Sequence, residues 1–101
     1  MKKIIEGKKY DTETAEYICK YSIGYAGDFK HFSDTLYRKK NGEFFIYGEG
    51  GPMSKYSEIG ENNSIMGSEQ IIPISVEEAR TFVERYGSVK IYESTFGEVD
   101  E

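Results

Sequence analysis

Few residues in this 101-residue chain belong to the types that perform covalent or acid–base chemistry. There is one cysteine, Cys19, and one histidine, His31. Cys19 lies in a segment with apolar periodicity, and a reactive thiol needs a polar, partly exposed setting, so a buried and inert thiol is predicted. A single imidazole forms neither a histidine pair nor a histidine-based metal site. We therefore predict no catalytic residue.

The carboxylates and glycines also lack the spacing of known sites. The acids do not follow the ligand pattern of a calcium-binding loop. The glycine-rich run 48–51, with Ser54 and Lys55 downstream, matches neither phosphate-loop pattern, and no capped helix follows it directly. A turn that leaves a hairpin explains these glycines better. No metal, cofactor or phosphate site is predicted.

The charge is distributed unevenly along the chain. The net charge is −5 and the pI is about 5.0. Residues 51–101 contain four basic and ten acidic residues, whereas residues 1–50 are nearly balanced. Phosphate contacts require a positive surface, so direct nucleic-acid binding is not expected and a basic protein partner fits better. The alternative is that the charge serves solubility alone.

Length and composition predict one soluble domain. A chain of 101 residues builds a single core, and its 15% aromatic content indicates that large rings fill much of that core. One cysteine excludes an intrachain disulfide. There is no leader segment and no apolar run that would span a bilayer, so a cytoplasmic protein without membrane contact is expected. A monomer is favoured.

A β-hairpin is predicted over residues 33–48. Asn41-Gly42 is the dipeptide that best tolerates successive positive φ angles, and aromatic-rich runs flank it. A two-residue turn would pair Lys40 with Glu43, and a bulged turn at Gly42 would shift the register by one residue. Either register leaves apolar side chains on both surfaces of the hairpin.

One surface of the hairpin should therefore pack on the core while part of the other meets a partner. The aromatic candidates for such contact are Tyr37, Phe45 and Tyr47.

The first 23 residues are predicted to form a two-stranded ribbon followed by a helix. Gly7 supplies the turn of the ribbon, and Asp11 lies where a helix N-cap belongs. Ala15, Ile18, Cys19 and Ser22 follow the i, i+3, i+4, i+7 spacing of one helical face.

The second half is predicted to contain a mobile glycine-rich loop over 49–69, then an edge strand and C-terminal helices over 70–97. Pro73 places the strand at a sheet edge or ends it, and Ser75 with Glu78 forms a capping box for the first helix. Residues 89–96 fit a helix or a strand, and we favour a helix. Residues 98–101 form an acidic tail. Together, these elements predict an α+β fold, with a small antiparallel sheet, a central β-hairpin and two to three helices.

Three stretches of the chain resemble a known group of proteins. They are residues 2–15 (KKIIEGKKYDTETA), 36–51 (LYRKKNGEFFIYGEGG) and 71–80 (IIPISVEEAR). The group consists of small proteins carried by phages, plasmids and conjugative elements of Gram-positive bacteria, and it includes anti-CRISPR inhibitors of type II-A RNA-guided nucleases. The resemblance implies a stoichiometric inhibitor that binds a CRISPR effector nuclease without a cofactor.

Such nucleases hold nucleic acids in positively charged channels and read the flanking motif with arginines. An acidic surface from the second half of this chain would complement these positive charges. Its candidate residues are Glu93, Glu98, Asp100 and Glu101. Alternatively, the aromatic hairpin would block a domain movement needed for cleavage. Two other classes stay open: a regulatory or assembly module of a mobile element, and a small enzyme with an unrecognised carboxylate site.

Overall fold

The computed structural model describes residues 1–25 and 27–100 and confirms an α+β fold. The strands are β1 (Lys2–Ile5), β2 (Lys8–Asp11), β3 (Glu16–Ile23), β4 (Phe32–Arg38), β5 (Phe44–Gly50), β6 (Glu58–Ile59), β7 (Ile65–Met66) and β8 (Ser68–Ile74). The helices are α1 (Val76–Tyr86) and α2 (Val89–Phe96), with a short 3-10 turn at Glu61–Asn63.

A four-stranded antiparallel sheet organises the molecule. Its strand order is β3-β4-β5-β8, so the predicted hairpin β4–β5 is central. Pro73 lies in the outer strand β8, as its missing N–H predicts.

The turn of the central hairpin takes the bulged form. The N–H of Lys39 donates to the carbonyl of Glu43 at 2.7 Å, so Lys39 faces Glu43 in place of Lys40. Gly42 has φ +92°, and the side chain of Asn41 accepts the N–H of Glu43 at 3.0 Å. The pairing with Lys40 across a two-residue turn is therefore wrong, and a three-residue loop with a glycine bulge replaces it.

This register sorts the hairpin side chains by chemistry. Leu36 pairs with Ile46 on one face of the sheet, whereas Tyr37 pairs with Phe45 on the other face. We call the first the helix face, because α1 and α2 pack on it, and the second the ribbon face, because the β1–β2 ribbon packs on it.

The helix face carries the larger core. Its buried residues are Ile18, Cys19, Leu36, Phe44, Ile46, Ala79 and Val83. Both helices were predicted correctly. The Ser75 hydroxyl accepts the N–H of Glu78, and the Glu78 carboxylate accepts the N–H of Ser75, each at 3.1 Å, which is the predicted capping box. Within the described residues, neither helix has the length and apolar character needed to cross a membrane.

The helix predicted between Asp11 and Gly24 is wrong. Asp11 ends β2, and its carboxylate accepts the N–H of Glu13 at 2.9 Å in a tight turn that leads into strand β3. The register of β3 shifts between Tyr17 and Cys19, which is a β-bulge. The bulge lets the successive residues Ile18 and Cys19 both be buried in the helix-face core, and this doublet imitates helical spacing.

The β1–β2 ribbon covers part of the ribbon face. Glu6 and Gly7 form its turn, with φ angles of 51° and 79°. Tyr10 reaches Phe45 and Ile71 in a second buried cluster.

The segment 49–69 is more structured than a glycine-rich loop. It contains the short pair β6–β7, and Tyr56 in it is only 3% exposed. The Tyr56 hydroxyl donates to the Asp34 carboxylate, and Lys55 Nζ lies 2.7 Å from Asp34 Oδ2. A Cβ on Gly48 would lie 2.1 Å from the Tyr56 ring, so the glycine makes room for this anchor.

Candidate protein-binding surface

The β1–β2 ribbon leaves part of the ribbon face uncovered: Phe45 is buried beneath it, whereas Tyr17 is exposed. Because directly paired residues share a face, the strand registers bring three rows of side chains to this surface. We call it the open face and define it by Tyr17, Lys20, Ser33, Thr35, Tyr37, Tyr47, Glu49 and Glu69. Ser33 and Thr35 are buried between longer neighbours and form its floor, while the tyrosines, Lys20 and the glutamates reach solvent.

Aromatic rings form a continuous, packed series across the first row. Tyr17 meets Tyr37 edge-to-face, with ring centroids 6.2 Å apart, and Tyr37 stacks on Phe45 at 5.4 Å. Tyr10 of the ribbon meets Phe45 in a T-shaped arrangement, with ring centroids 5.5 Å apart. Such contacts fix ring orientation, so Tyr17 and Tyr37 offer a partner large contact area at low conformational cost.

Tyr47 organises the acidic part of the open face. Its hydroxyl lies 2.5 Å from Glu69 Oε2 and 3.3 Å from Glu49 Oε2, and a single O–H donates principally to the nearer oxygen. Partial burial disfavours the phenolate and raises the pKa of Tyr47, and the hydrogen bond to Glu69 and the charge of Glu49 raise it further. Tyr47 therefore stays a neutral donor that holds the Glu69 carboxylate in place.

The carboxylates of Glu49 and Glu69 lie on directly paired positions of β5 and β8. Like charges across neighbouring strands repel each other. Among the described residues neither carboxylate forms an ion pair, and Lys20 lies two strands away on β3. A cationic group from another molecule would relieve this repulsion.

The structure divides the partner-contact residues predicted from the sequence into two separate sets. Tyr37 and Tyr47 lie half-buried on the open face, whereas Phe45 is fully buried beneath the ribbon and has no exposed surface to offer. Glu93 lies on α2, which packs on the opposite side of the sheet.

Glu98 and Asp100 follow α2 in the exposed C-terminal tail, and Glu101 lies outside the described residues. The acidic and aromatic candidates therefore do not form one continuous site.

Tyr17, Glu49 and Glu69 are members of the open face that sequence reasoning missed. Tyr17 was assigned to a helix, and the two glutamates were assigned to a loop. Glu49 follows Tyr47 at the two-residue spacing of a strand, and this spacing was the available signal.

Cys19 and His31, the two residues considered for chemistry, make contacts that are typical of structural residues. Cys19 is 4% exposed, and burial raises the pKa of its thiol, so the predicted buried cysteine is confirmed although it lies on a strand. His31 Nδ1 lies 2.8 Å from the Asp28 carbonyl oxygen. Among residues 1–25 and 27–100, no group of three or more His, Cys, Asp or Glu side chains is placed to hold a metal ion.

No family model, curated protein or solved structure matches this chain.

Proposed function

We propose that this protein acts by stoichiometric binding to another protein, through the open face, and that its target is a type II RNA-guided nuclease. The observation that carries the proposal is an uncovered part of a sheet face, on which packed tyrosines adjoin two carboxylates that form no ion pair among the described residues. Tyrosine is enriched among the residues that dominate binding energy at protein interfaces.

Electrostatics favours a protein partner over a nucleic acid. An aromatic platform that stacks bases is normally lined with basic residues, because the phosphates must be neutralised. Here Glu49 and Glu69 lie beside Tyr47, and the chain carries a net charge of −5. The carboxylates would repel a phosphate backbone and attract lysine or arginine.

The choice of target rests on the resemblance of residues 2–15, 36–51 and 71–80 to anti-CRISPR proteins. A type II nuclease offers the matching chemistry, because basic side chains line its nucleic-acid channel and arginines read the motif next to the target. Occupation of such arginines by Glu49 and Glu69 would compete with DNA. Blocking a domain movement is the second route to the same inhibition.

A DNA-cleavage titration tests the proposal directly. With a guide-loaded type II nuclease at fixed concentration, activity should fall in proportion to added protein and level off near equivalence. Chelator treatment of the protein, followed by removal of the chelator, should leave inhibition unchanged. Inhibition at far below equivalence would indicate turnover and would favour the enzyme alternative.

A matched pair of double variants locates the binding surface. Tyr17→Ala with Glu69→Lys changes the open face, whereas Tyr25→Ala with Glu58→Lys makes the same chemical changes at exposed positions elsewhere. The first pair should abolish inhibition and the second should preserve it, with both proteins folded by circular dichroism. Equal inhibition by both variants would remove the open face from the proposal.

Co-purification separates the proposed target from the alternative class. A tagged copy expressed beside the nuclease should retain it at near-equal stoichiometry. Retention of a different protein, with the nuclease in the flow-through, would instead favour a regulatory module of a mobile element.

A further inference from the structure

A second surface lies on the opposite side of the sheet, where α1 is followed by α2. A groove runs between the two helices and the C-terminal tail. We call it the helix groove. Its apolar lining consists of Val83, Val89, Tyr92 and Val99, and its acidic lining of Glu84 and Glu93.

The helix groove is preformed by the junction of the two helices. The N–H of Gly87 donates to the carbonyl of Val83 at 2.8 Å and closes α1. A Cβ on Gly87 would lie 2.9 Å from Val83 atoms, so glycine permits this tight closure. Ser88 then caps α2 at once, because its hydroxyl accepts the N–H of Ile91 at 3.1 Å. The two helical walls of the groove are therefore fixed without a partner.

Apolar side chains in the groove remain in contact with solvent. Val89 is 75% exposed and Val99 is 58% exposed, while Val83 beneath them is buried. Gly97, with φ +95°, redirects the chain after α2, and Val99 returns to line the groove. Two exposed valines over a buried apolar floor would gain from covering by an apolar side chain.

The charged side chains that line the groove, Glu84 and Glu93, are both acidic. Within the part of the chain that the structure describes, no lysine or arginine lines it. Among the described residues Glu84 and Glu93 form no ion pair, and neither do Glu98 and Asp100 in the adjoining tail. These carboxylates would repel an anionic membrane surface and a second copy of the same groove. A cationic ligand with apolar side chains complements both features.

We propose that the helix groove binds a basic amphipathic segment of a partner protein. Aliphatic side chains of that segment occupy the space between Val89, Tyr92 and Val99. Its lysine or arginine side chains lie against Glu84 and Glu93. The groove and the open face are separated by the sheet, so this surface does not depend on the function proposed for the open face.

Nuclear magnetic resonance with a defined probe tests the location. The ¹⁵N-labelled full chain is titrated at physiological salt with a synthetic amphipathic peptide of leucine and lysine, acetylated and amidated. Amide shifts should concentrate at residues 84–93 and at Val99. A peptide with serine in place of leucine, and one with glutamate in place of lysine, should each produce much smaller shifts. Shifts centred on Glu49 and Glu69, equal shifts with the serine peptide, or no shifts would overturn the proposal.

A matched pair of charge reversals then tests the role of the acidic lining. Glu84→Lys with Glu93→Lys should weaken binding of the leucine–lysine peptide by about tenfold or more, the equivalent of roughly 1.4 kcal/mol. Glu58→Lys with Glu61→Lys produces the same net charge at exposed positions outside the groove and should leave affinity within about twofold. Equal losses in the two variants would mean that net charge alone attracts the peptide.

Val89→Ser tests the apolar contribution separately. Its exposed side chain does not support the fold, so the variant should keep its thermal midpoint while its affinity for the leucine–lysine peptide falls severalfold. Unchanged affinity would contradict the proposal that aliphatic side chains of the peptide bind against Val89.

Discussion

The helix face and the ribbon face of the same sheet are covered by different amounts of structure. Two capped helices and Tyr56 cover the helix face, and the core between sheet and helices contains seven buried residues, two of which belong to α1. A short ribbon covers part of the ribbon face, and the cluster on this side has only three buried residues: Tyr10 of the ribbon, and Phe45 and Ile71 of the sheet. Stability therefore rests mainly on one side of the sheet, and the thinner cover of the other side leaves the open face accessible.

The ribbon is held by a small number of contacts. The Lys8 ammonium lies 2.6 Å from Glu43 of the hairpin turn, and the N-terminal ammonium of Met1 donates to the Thr12 hydroxyl at 2.8 Å. The Lys39 ammonium lies 4.3 Å from the centre of the Tyr10 ring. Because the two faces carry separate clusters of buried residues, changes in each face should unfold different parts of the molecule first.

The largest expected effect comes from Phe45→Ala. Phe45 is fully buried beneath Tyr10, so the variant should lose roughly 3–5 kcal/mol of unfolding free energy in urea denaturation. Hydrogen exchange should show loss of protection first in β1 and β2. Leu36 is buried on the helix face, and the comparison variant Leu36→Ala should instead lose exchange protection first in α1 and α2. Identical exchange patterns would mean that the two layers unfold as one unit.

Gly48→Ala tests the Tyr56 anchor, the part of the helix-face cover that is not helical. A methyl group there would collide with the Tyr56 ring, and such overpacking costs about 1–3 kcal/mol. In a Tyr56→Ala background the same substitution should cost much less, because the obstructing ring is gone. A double-mutant cycle by chemical denaturation measures this difference, and additive effects would contradict the contact.

Glu43→Gln should weaken the ribbon in a manner that depends on pH. The ammonium groups of Lys8 and Lys39 and the amide of Asn41 lower the pKa of Glu43 to about 2 from its ordinary value of 4.5. Because the folded-state pKa is lowered, the contribution is present above pH 4.5 and is lost as the pH falls through about 2.

Thermal midpoints across this pH range provide the measurement. The variant should melt below the wild type at neutral pH, by a modest amount because the site is exposed, and the two should converge in acid. The control is Glu13→Gln, since Glu13 makes no side-chain hydrogen bond or ion pair in the part of the chain described. A difference in thermal midpoint that stays constant at every pH would mean that the ion pairs of Glu43 do not stabilise the ribbon.

The smallest expected effect is a gain from Glu6→Asn. Glu6 has a left-handed φ of 51° in the ribbon turn, where asparagine is better tolerated than glutamate. Stability should therefore rise by a fraction of the roughly 1–2 kcal/mol that a left-handed residue costs. Exchange protection should increase in β1 and β2 with little change in α1. Glu98→Asn in the exposed tail should change neither measurement.

Local sequence signals were sufficient where residues close together in the sequence determine the structure. Asn41-Gly42 located the hairpin, Ser75 with Glu78 located α1, and Pro73 located an outer strand. The prediction for the β3 segment was wrong because its bulge places two consecutive residues in one core. A helix would produce the same spacing of apolar residues.

The open face could be predicted only in part. Tyr37 and Tyr47 were recognised from the hairpin, but the exposure of a sheet side chain depends on which distant segment covers it. Phe45 is covered by Tyr10, 35 positions earlier in the sequence, whereas Tyr17 is left uncovered on the same face. Glu49 and Glu69 meet only because β5 pairs with β8, which no local pattern in either strand reveals.

The outer strands of the sheet also bear on how the protein behaves when it is concentrated. Strand β8 contains Pro73, which has no N–H to donate, and the bulge between Tyr17 and Cys19 interrupts β3. Neither outer strand therefore presents an unbroken row of backbone groups to a strand from another molecule. We expect the protein to resist edge-to-edge aggregation at high concentration, although its sheet is open at both ends.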